Sequence, residues 1–397
     1  MKRLLLPALL LTTLTACTAA PAGTLPAAAP TPTPASTPAP TAAPAPADAL
    51  TLEEKIGQLF IIRPDALDLT LPQETINDAK ADGVTMLTDA MRETLQAYPV
   101  GGICQFGKNI TDPEQLAQFN ADLQAASRTP LFIAVDEEGG AVARLANHPA
   151  FDLPQYESAA AVGASGDPAD ACAMGQTIGA YLKEYGFNMD FAPDADVNTN
   201  PDNPIIGTRA FSSDAATAAE MATAAEMAAA AADGLRTSGI LPTLKHFPGH
   251  GDTAEDSHTA LAVTYKTLDE LQACELLPFA ADTGLHAVMV GHIAAPNVTG
   301  DSTPATLSPQ LVALIPDAEN TLIVTDSLAM DAITAAYTPG EAAVQAIQAG
   351  CDVLLMPNSL PEAYAAVLEA VQNGTISEER LDRSVNKILL YKQQFAS

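Results

Sequence analysis

Tryptophan is absent from the 397 residues, and all aromatic residues together make up 5% of the chain. Recognition of a ligand face by stacking on indole is therefore excluded, and any apolar contact falls to Tyr, Phe or Met. Basic residues are scarce: 18 Lys and Arg stand against 48 Asp and Glu, for a formal charge of −30. Such a charge repels nucleic acid and anionic membrane surfaces, so a nucleic-acid partner is excluded. The five Cys fit no CxxC or zinc spacing. Cys104, Cys172, Cys274 and Cys351 each lie in apolar surroundings, which predicts buried free thiols. After the amino-terminal segment, apolar runs are short and punctuated, and none is long enough to span a bilayer.

What is present begins with Lys2 and Arg3, an apolar run Leu4–Leu11, and Leu14-Thr15-Ala16-Cys17. That order reads as a secretory signal whose apolar run is too short for a stable membrane span. Its ending resembles the bacterial lipobox, which implies lipidation of Cys17 and an outward-facing anchor in the cell membrane bilayer. Plain secretion is the alternative. Residues 18–47 are almost wholly Ala, Pro and Thr without charge. This composition cannot build a core and predicts an extended linker, with a reach of at most about 90 Å at ~3.1 Å per residue. The folded domain is expected over 48–397.

Within that domain, apolar β-branched runs alternate with helical segments. Strands are predicted at Ile56–Ile62, Val100–Phe106, Pro130–Val135, Phe187–Phe191, Ile240–Leu244, His286–His292, Thr321–Thr325 and Asp352–Met356. A helix starts at Thr51–Lys55. Others are predicted at Asp112–Ala126 (opened by Thr111), Asp167–Tyr185, Ala215–Leu235, Leu268–Ala281, Glu341–Ala349, Pro361–Val371 and Glu378–Gln394. Some eight strands alternating with helices predict an α/β fold, a (β/α)₈ TIM-type barrel forming a single catalytic domain. A doubly wound open sheet is the second candidate. The polar clusters fall after strands: Asp136 and Arg144, Asp194 to Arg209, Lys245 to His258, His292, and Asp326. On a barrel these loops open onto one face, a distribution that argues for an enzyme.

The densest cluster is Lys245–His258, KHFPGHGDTAEDSH, with three His, one Lys and three acidic residues. His246 and His250 stand four apart, the helical spacing of a zinc pair, but Pro248, Gly249 and Gly251 make a helix there very costly. A polar turn that only satisfies backbone groups is a second reading. The third is a resemblance. KHFPGHGD followed by Asp256-Ser257-His258 is similar to the signature of family 3 glycoside hydrolases, in the branch of bacterial β-N-acetylglucosaminidases.

The resemblance covers roughly residues 50–395 and implies roles. Asp326, in Ile323-Val324-Thr325-Asp326-Ser327, resembles the nucleophile that forms a covalent glycosyl intermediate in a retaining hydrolase. His258 with its partner Asp256 resembles the acid/base pair, and an imidazole titrating near neutral pH suits that task. Asp136, Arg144, Arg209, Lys245 and His246 resemble the sugar contacts. Relatives often carry His where this chain has Glu137, a departure expected to leave Asp136 undisturbed. His250, Asp252, His292 and Met330 are weaker candidates, with His250 and Asp252 expected to brace the loop. No second domain is expected after the barrel, which favours the His-based branch.

The implied function is an exported retaining exo-β-N-acetylglucosaminidase of the β-N-acetylhexosaminidase type. It would be a monomer acting on a GlcNAc-containing glycan or muropeptide during peptidoglycan turnover, with no cofactor and no metal. A β-glucosidase or β-xylosidase of the same family, a β-N-acetylglucosaminide phosphorylase, and a sugar-binding lipoprotein without turnover are the rivals.

Overall fold

The computed structural model describes residues 46–212, 218–257, 260–281 and 284–396. Cys17, the signal and residues 18–45 of the expected linker lie outside them. Pro46–Ala49 forms a 3₁₀ turn in which Ala47 is fully buried, and the Ala47 N–H donates to Asn386 Oδ1 at 3.0 Å. The folded part thus takes in residues placed at the end of the linker by composition.

Among the described residues, eight parallel strands form one sheet: β1 Phe60–Ile62, β2 Gly102–Cys104, β3 Phe132–Val135, β4 Met189–Asp190, β5 Leu241–Phe247, β6 Ala287–Val290, β7 Leu322–Thr325 and β8 Leu354–Leu355. Their order is β7-β6-β5-β4-β3-β2-β1-β8. A parallel bridge between Val324 and Val353 brings the two ends together, so the sheet curls into a barrel rather than an open doubly wound sheet. Every residue of the eight strands is buried, as the continuous apolar runs require of strands covered on both faces.

The main helices are α1 Leu52–Gln58, α2 Pro113–Ala126, α3 Pro168–Glu184, α4 Ala218–Thr237, α5 Leu268–Ala273, α6 Pro339–Ala349, α7 Leu360–Gln372 and α8 Glu378–Phe395. Capping boxes pair Thr51 with Glu54, Thr267 with Glu270 and Thr338 with Glu341. Between α3 and α4 the backbones approach so closely that a Cβ on Gly175 would sit 2.2 Å from the Ala231 carbonyl oxygen. Only glycine permits that crossing.

Several boundaries differ from the sequence expectation. Ile56-Gly57-Gln58 continue the helix started by the Thr51 capping box, and the first strand begins only at Phe60. Local hydrogen bonding outweighs the β-branched character of Ile56. The N-cap of α2 is Asp112, which accepts from the Gln115 N–H, and not Thr111. α5 ends at Ala273 and is followed by a separate 3₁₀ turn at Pro278–Ala280, since Pro278 has no N–H to continue a helix. Cys104, Cys274 and Cys351 are buried free thiols, whereas Cys172 is half-buried. No described helix is long and apolar enough to cross a membrane.

Candidate active site

Each barrel strand ends in a loop at the same rim, and the polar side chains of these loops meet around a cavity of about 180 Å³. Asp136, Arg144, Arg209, Lys245, His246 and Asp326 all line it. Phe106, Phe191, Met289, Met330 and Met356 supply the apolar wall that the missing indoles leave to other residues. Met356 follows β8 with a φ of +47°, a left-handed conformation uncommon for a non-glycine residue. A larger groove of about 380 Å³ is lined by Gln124, Pro130 and Asn188, at the opposite ends of the strands, and has no carboxylate. Chemistry, not size, identifies the site.

A network of charges holds the cavity floor. Lys245 Nζ donates to Asp136 Oδ1 at 2.8 Å and lies 2.6 Å from Glu138 Oε1. Arg209 forms a two-pronged pair with Glu138, Nε to Oε2 and Nη2 to Oε1, both 2.8 Å. The same guanidinium lies 3.4 Å from Asp194 Oδ2, and Arg144 Nη2 lies 3.6 Å from Asp136 Oδ2. Burial alone would raise both carboxylates, but Arg209 and then Lys245 hold Glu138 well below its usual range, and Lys245 and then Arg144 hold Asp136 down. Burial likewise works to lower Lys245, and Asp136 and Glu138 more than reverse it, so its ammonium stays charged. A charged Lys and an ionised Asp on one wall present donors and acceptors suited to neighbouring hydroxyls.

A second chain of protons runs beneath His246. Its Nδ1 lies 2.8 Å from Asp196 Oδ2, while Asp196 Oδ1 accepts the His250 N–H at 2.6 Å. Burial would lower His246, but the bond to Asp196 raises its pKa above the ordinary value. Asp194 is pushed up to about 7, first by burial and then by Asp196 beside it. Asp194, Asp196 and His246 offer three possible ligand atoms within 4.8 Å of one another. Asp196 bonds His246 and donates its N–H to Asp194 Oδ1 at 3.0 Å, while Asp194 Oδ2 faces Arg209 without a hydrogen bond.

The loop after β5 is pinned from inside. His250 is buried, with Nδ1 2.6 Å from Thr253 Oγ1 and Nε2 3.0 Å from Ser257 Oγ, so it braces the loop. A Cβ on Gly251 would lie 2.0 Å from the Val197 carbonyl oxygen, which fixes the loop against the one after β4. Asp252 accepts from Thr264 Oγ1 at 2.8 Å and lies outside the cavity lining. Ser257 reaches the cavity, Asp256 is half-buried and does not line it, and His258 lies outside the described residues.

Asp326 stands at the end of β7, where its backbone N–H donates to the Val290 carbonyl at 2.8 Å and its Oδ1 accepts the Ser327 N–H at 2.7 Å. His292 is fully buried behind it. Its Nε2 lies 2.8 Å from the Ser327 carbonyl oxygen, which only accepts, so Nε2 carries the proton. Nδ1 then accepts from the Thr306 hydroxyl at 2.9 Å. His292 thus supports the turn that presents Asp326. Met330 lines the cavity.

Sequence reasoning gave no role to Glu138, Asp196 or Arg63, and noted Asp194 only as the start of a polar cluster; all four serve this site. Their shared signal was position: Arg63 directly follows β1, Glu138 stands shortly after β3, and Asp194 and Asp196 lie in the loop after β4. Glu137 is also more than a neutral departure. Its carboxylate accepts the N–H groups of Leu145 and Ala146, both at 2.9 Å, and the Tyr181 hydroxyl at 2.8 Å, anchoring the hairpin that carries Arg144.

Comparison with known proteins agrees with this geometry. Residues 51–390 match the family model described as the glycosyl hydrolase family 3 N-terminal domain. The chain is 33% identical over 341 residues to beta-hexosaminidase A of Pseudoalteromonas piscicida, covering 78% of this chain and 56% of that protein. It is 31% identical over 353 residues to beta-hexosaminidase LpqI of Mycobacterium tuberculosis, covering 82% and 83%. Among solved structures, a family 3 β-N-acetylglucosaminidase from Paenibacillus sp. FPU-7 matches with a TM-score of 0.75 at 38% identity, over 87% of this chain and 63% of that one. The chain therefore spans little more than half of the first of these proteins and under two thirds of the last.

Proposed function

The chain belongs to glycosyl hydrolase family 3, and from that premise we propose that it is a retaining exo-β-N-acetylglucosaminidase. The observation that carries this reading is the convergence of Asp326 with Asp136, Arg144, Arg209, Lys245 and His246 on one cavity. The beta-hexosaminidase names of its relatives support a GlcNAc-containing substrate.

In this mechanism Asp326 attacks the anomeric carbon and forms a glycosyl ester while the glycosidic bond breaks. His258, oriented by Asp256, protonates the departing oxygen and then takes the proton of the attacking water. Ser257, the residue before His258 in the chain, lines the cavity. Lys245, Asp136 and the arginines grip the sugar hydroxyls and the acetamido oxygen, and the Asp196–His246 bond keeps that imidazole in one orientation. No cofactor or metal takes part in the proposed steps. The natural substrates are terminal β-linked GlcNAc residues of peptidoglycan fragments. The segment ending at Cys17 supports export and a lipid anchor facing outward.

Assay of the purified domain on aryl N-acetyl-β-glucosaminide, β-glucoside and β-xyloside tests the assignment. Highest kcat/KM on the N-acetyl substrate is expected. Greater activity on the glucoside or xyloside overturns the substrate assignment, and sugar binding with no turnover on any of them overturns the enzyme.

A further inference from the structure

One side of the cavity carries two guanidiniums without a close, dedicated counter-charge, although Asp65 and Asp136 act on Arg63 from further off. Arg63 follows β1 directly and lines the cavity. Its guanidinium carbon lies 4.8 Å from the centre of the Phe106 ring, and that of Arg144 lies 5.9 Å from the same centre. Among the described residues no carboxylate comes within ion-pair distance of Arg63. Its Nη1 donates instead to Asn77 Oδ1, and Asn77 Nδ2 donates in turn to Asn358 Oδ1 at 2.7 Å. Two neutral amides therefore hold this cation in place without neutralising it. Arg144 reaches Asp136 only at 3.6 Å, and its Nε is buried with no hydrogen-bond partner. Asp136 is already shared with Lys245 at 2.8 Å.

Even the partial burial of Arg63 and Arg144, both half-buried, carries a desolvation cost that proteins ordinarily meet by close pairing. The other two cations of the cavity obey the rule: Arg209 is matched by Glu138, and Lys245 by Glu138 and Asp136. Acidic residues are not scarce in a chain holding 48 of them against 18 basic ones. The planar fork of arginine matches carboxylate and phosphate oxygens two at a time.

We propose that Arg63 and Arg144 form an anion subsite within this cavity, taking a carboxylate or phosphate group that is either carried on the glycan or free as acceptor. The subsite rests on the reading of the cavity as a glycoside site. In the free-acceptor case a phosphate oxygen bonds to the anomeric carbon as the ester bond to Asp326 breaks, its electron pair returning to the carboxylate. The products are then a glycosyl phosphate and the free enzyme. In the other case the anion is a substituent that never reacts.

The test titrates inorganic phosphate into the wild-type protein near neutral pH, with sodium chloride holding ionic strength constant. Hydrolysis of a neutral aryl N-acetyl-β-glucosaminide is followed alongside the phosphorus NMR spectrum. Phosphate is expected either to compete with the substrate or to appear as glycosyl phosphate. In Arg63→Gln the phosphate concentration giving half the effect should rise about ten- to hundredfold, the range for losing a charge-assisted bond. Arg63→Lys should recover part of that loss. Glycosyl phosphate among the products identifies the free acceptor. Competition alone, with an Arg63-dependent gain for an aryl substrate bearing a carboxylate ether on the sugar, identifies the substituent. A wild-type protein indifferent to phosphate and to the added carboxylate overturns the subsite, as does an equal response in Arg63→Gln, and the wild-type result needs no variant to fold. If the neutral substrate is not hydrolysed at all, the glycosidase reading fails by itself. Calorimetric titration of phosphate on the same protein then decides the subsite.

Discussion

Replacing Glu138 by Gln tests whether the charge network holds the barrel rim together. The Glu138 side chain is only 2% exposed and accepts two bonds of 2.8 Å from Arg209, with Lys245 2.6 Å away. Gln has the same shape, but its amide nitrogen must face a donor of Arg209 or Lys245. Two buried cations then share Asp136 and the more distant Asp194. Breaking a buried pair from one side costs about 3–5 kcal/mol, and that is the loss expected in urea unfolding at pH 7. The pH dependence is more diagnostic. Because Arg209 and Lys245 depress Glu138 below its ordinary value of 4.5, its stabilisation is complete above that pH and is lost as the pH falls toward the folded value. Between pH 7 and 3.5 the loss amounts to about 1.4 kcal/mol. The gap between wild type and Glu138→Gln should therefore narrow by about that much when unfolding is repeated at pH 3.5, with circular dichroism as the probe. A gap below about 1 kcal/mol at pH 7, or one that does not change with pH, refutes the account.

Three other outcomes are expected. Asp326→Ala should abolish turnover of every aglycone, whereas His258→Ala should lose ~10²–10⁴-fold more on a natural disaccharide than on a nitrophenyl substrate; equal losses, with no rescue by azide, would make His258 a structural residue. Asp194 is raised to about 7, so its contribution to stability is present below its ordinary range and is lost as the pH rises toward 7. Asp194→Asn should flatten that decline in thermal midpoints measured from pH 4 to 8, and an unaltered slope counts against the shift. Cys17→Ala should release the protein from membranes or block its processing while the domain from Asp48 stays active; unchanged retention argues against a lipid anchor.

The alternation that defines the barrel was legible because each buried strand is a short apolar run, as in Leu322–Thr325, with a polar residue directly after it. Strand ends were less legible. Ile56 belongs by composition to a strand, yet the Thr51–Glu54 capping box carries it into a helix, and hydrogen bonds of that kind leave only a faint trace in composition. At the site, the cluster after β5 announced itself through its density of His and Asp. Glu138 did not, because a single carboxylate is ordinary until Arg209 and Lys245, more than 70 residues away, are seen to share it. Arg63 was obscured for the opposite reason: it matters through the carboxylate it lacks, and a missing partner is visible only in three dimensions.

The apolar wall of the cavity has a consequence in redox chemistry. Met289, Met330 and Met356 line the cavity beside Phe106 and Phe191, and a thioether is subject to two-electron oxidation. A sulfoxide would put a chiral, strongly polar oxygen against the face meant to receive carbohydrate carbons. Peroxide should thus act on this protein as a slow inactivator, bound ligand should shield it, and methionine sulfoxide reductase should restore what was lost.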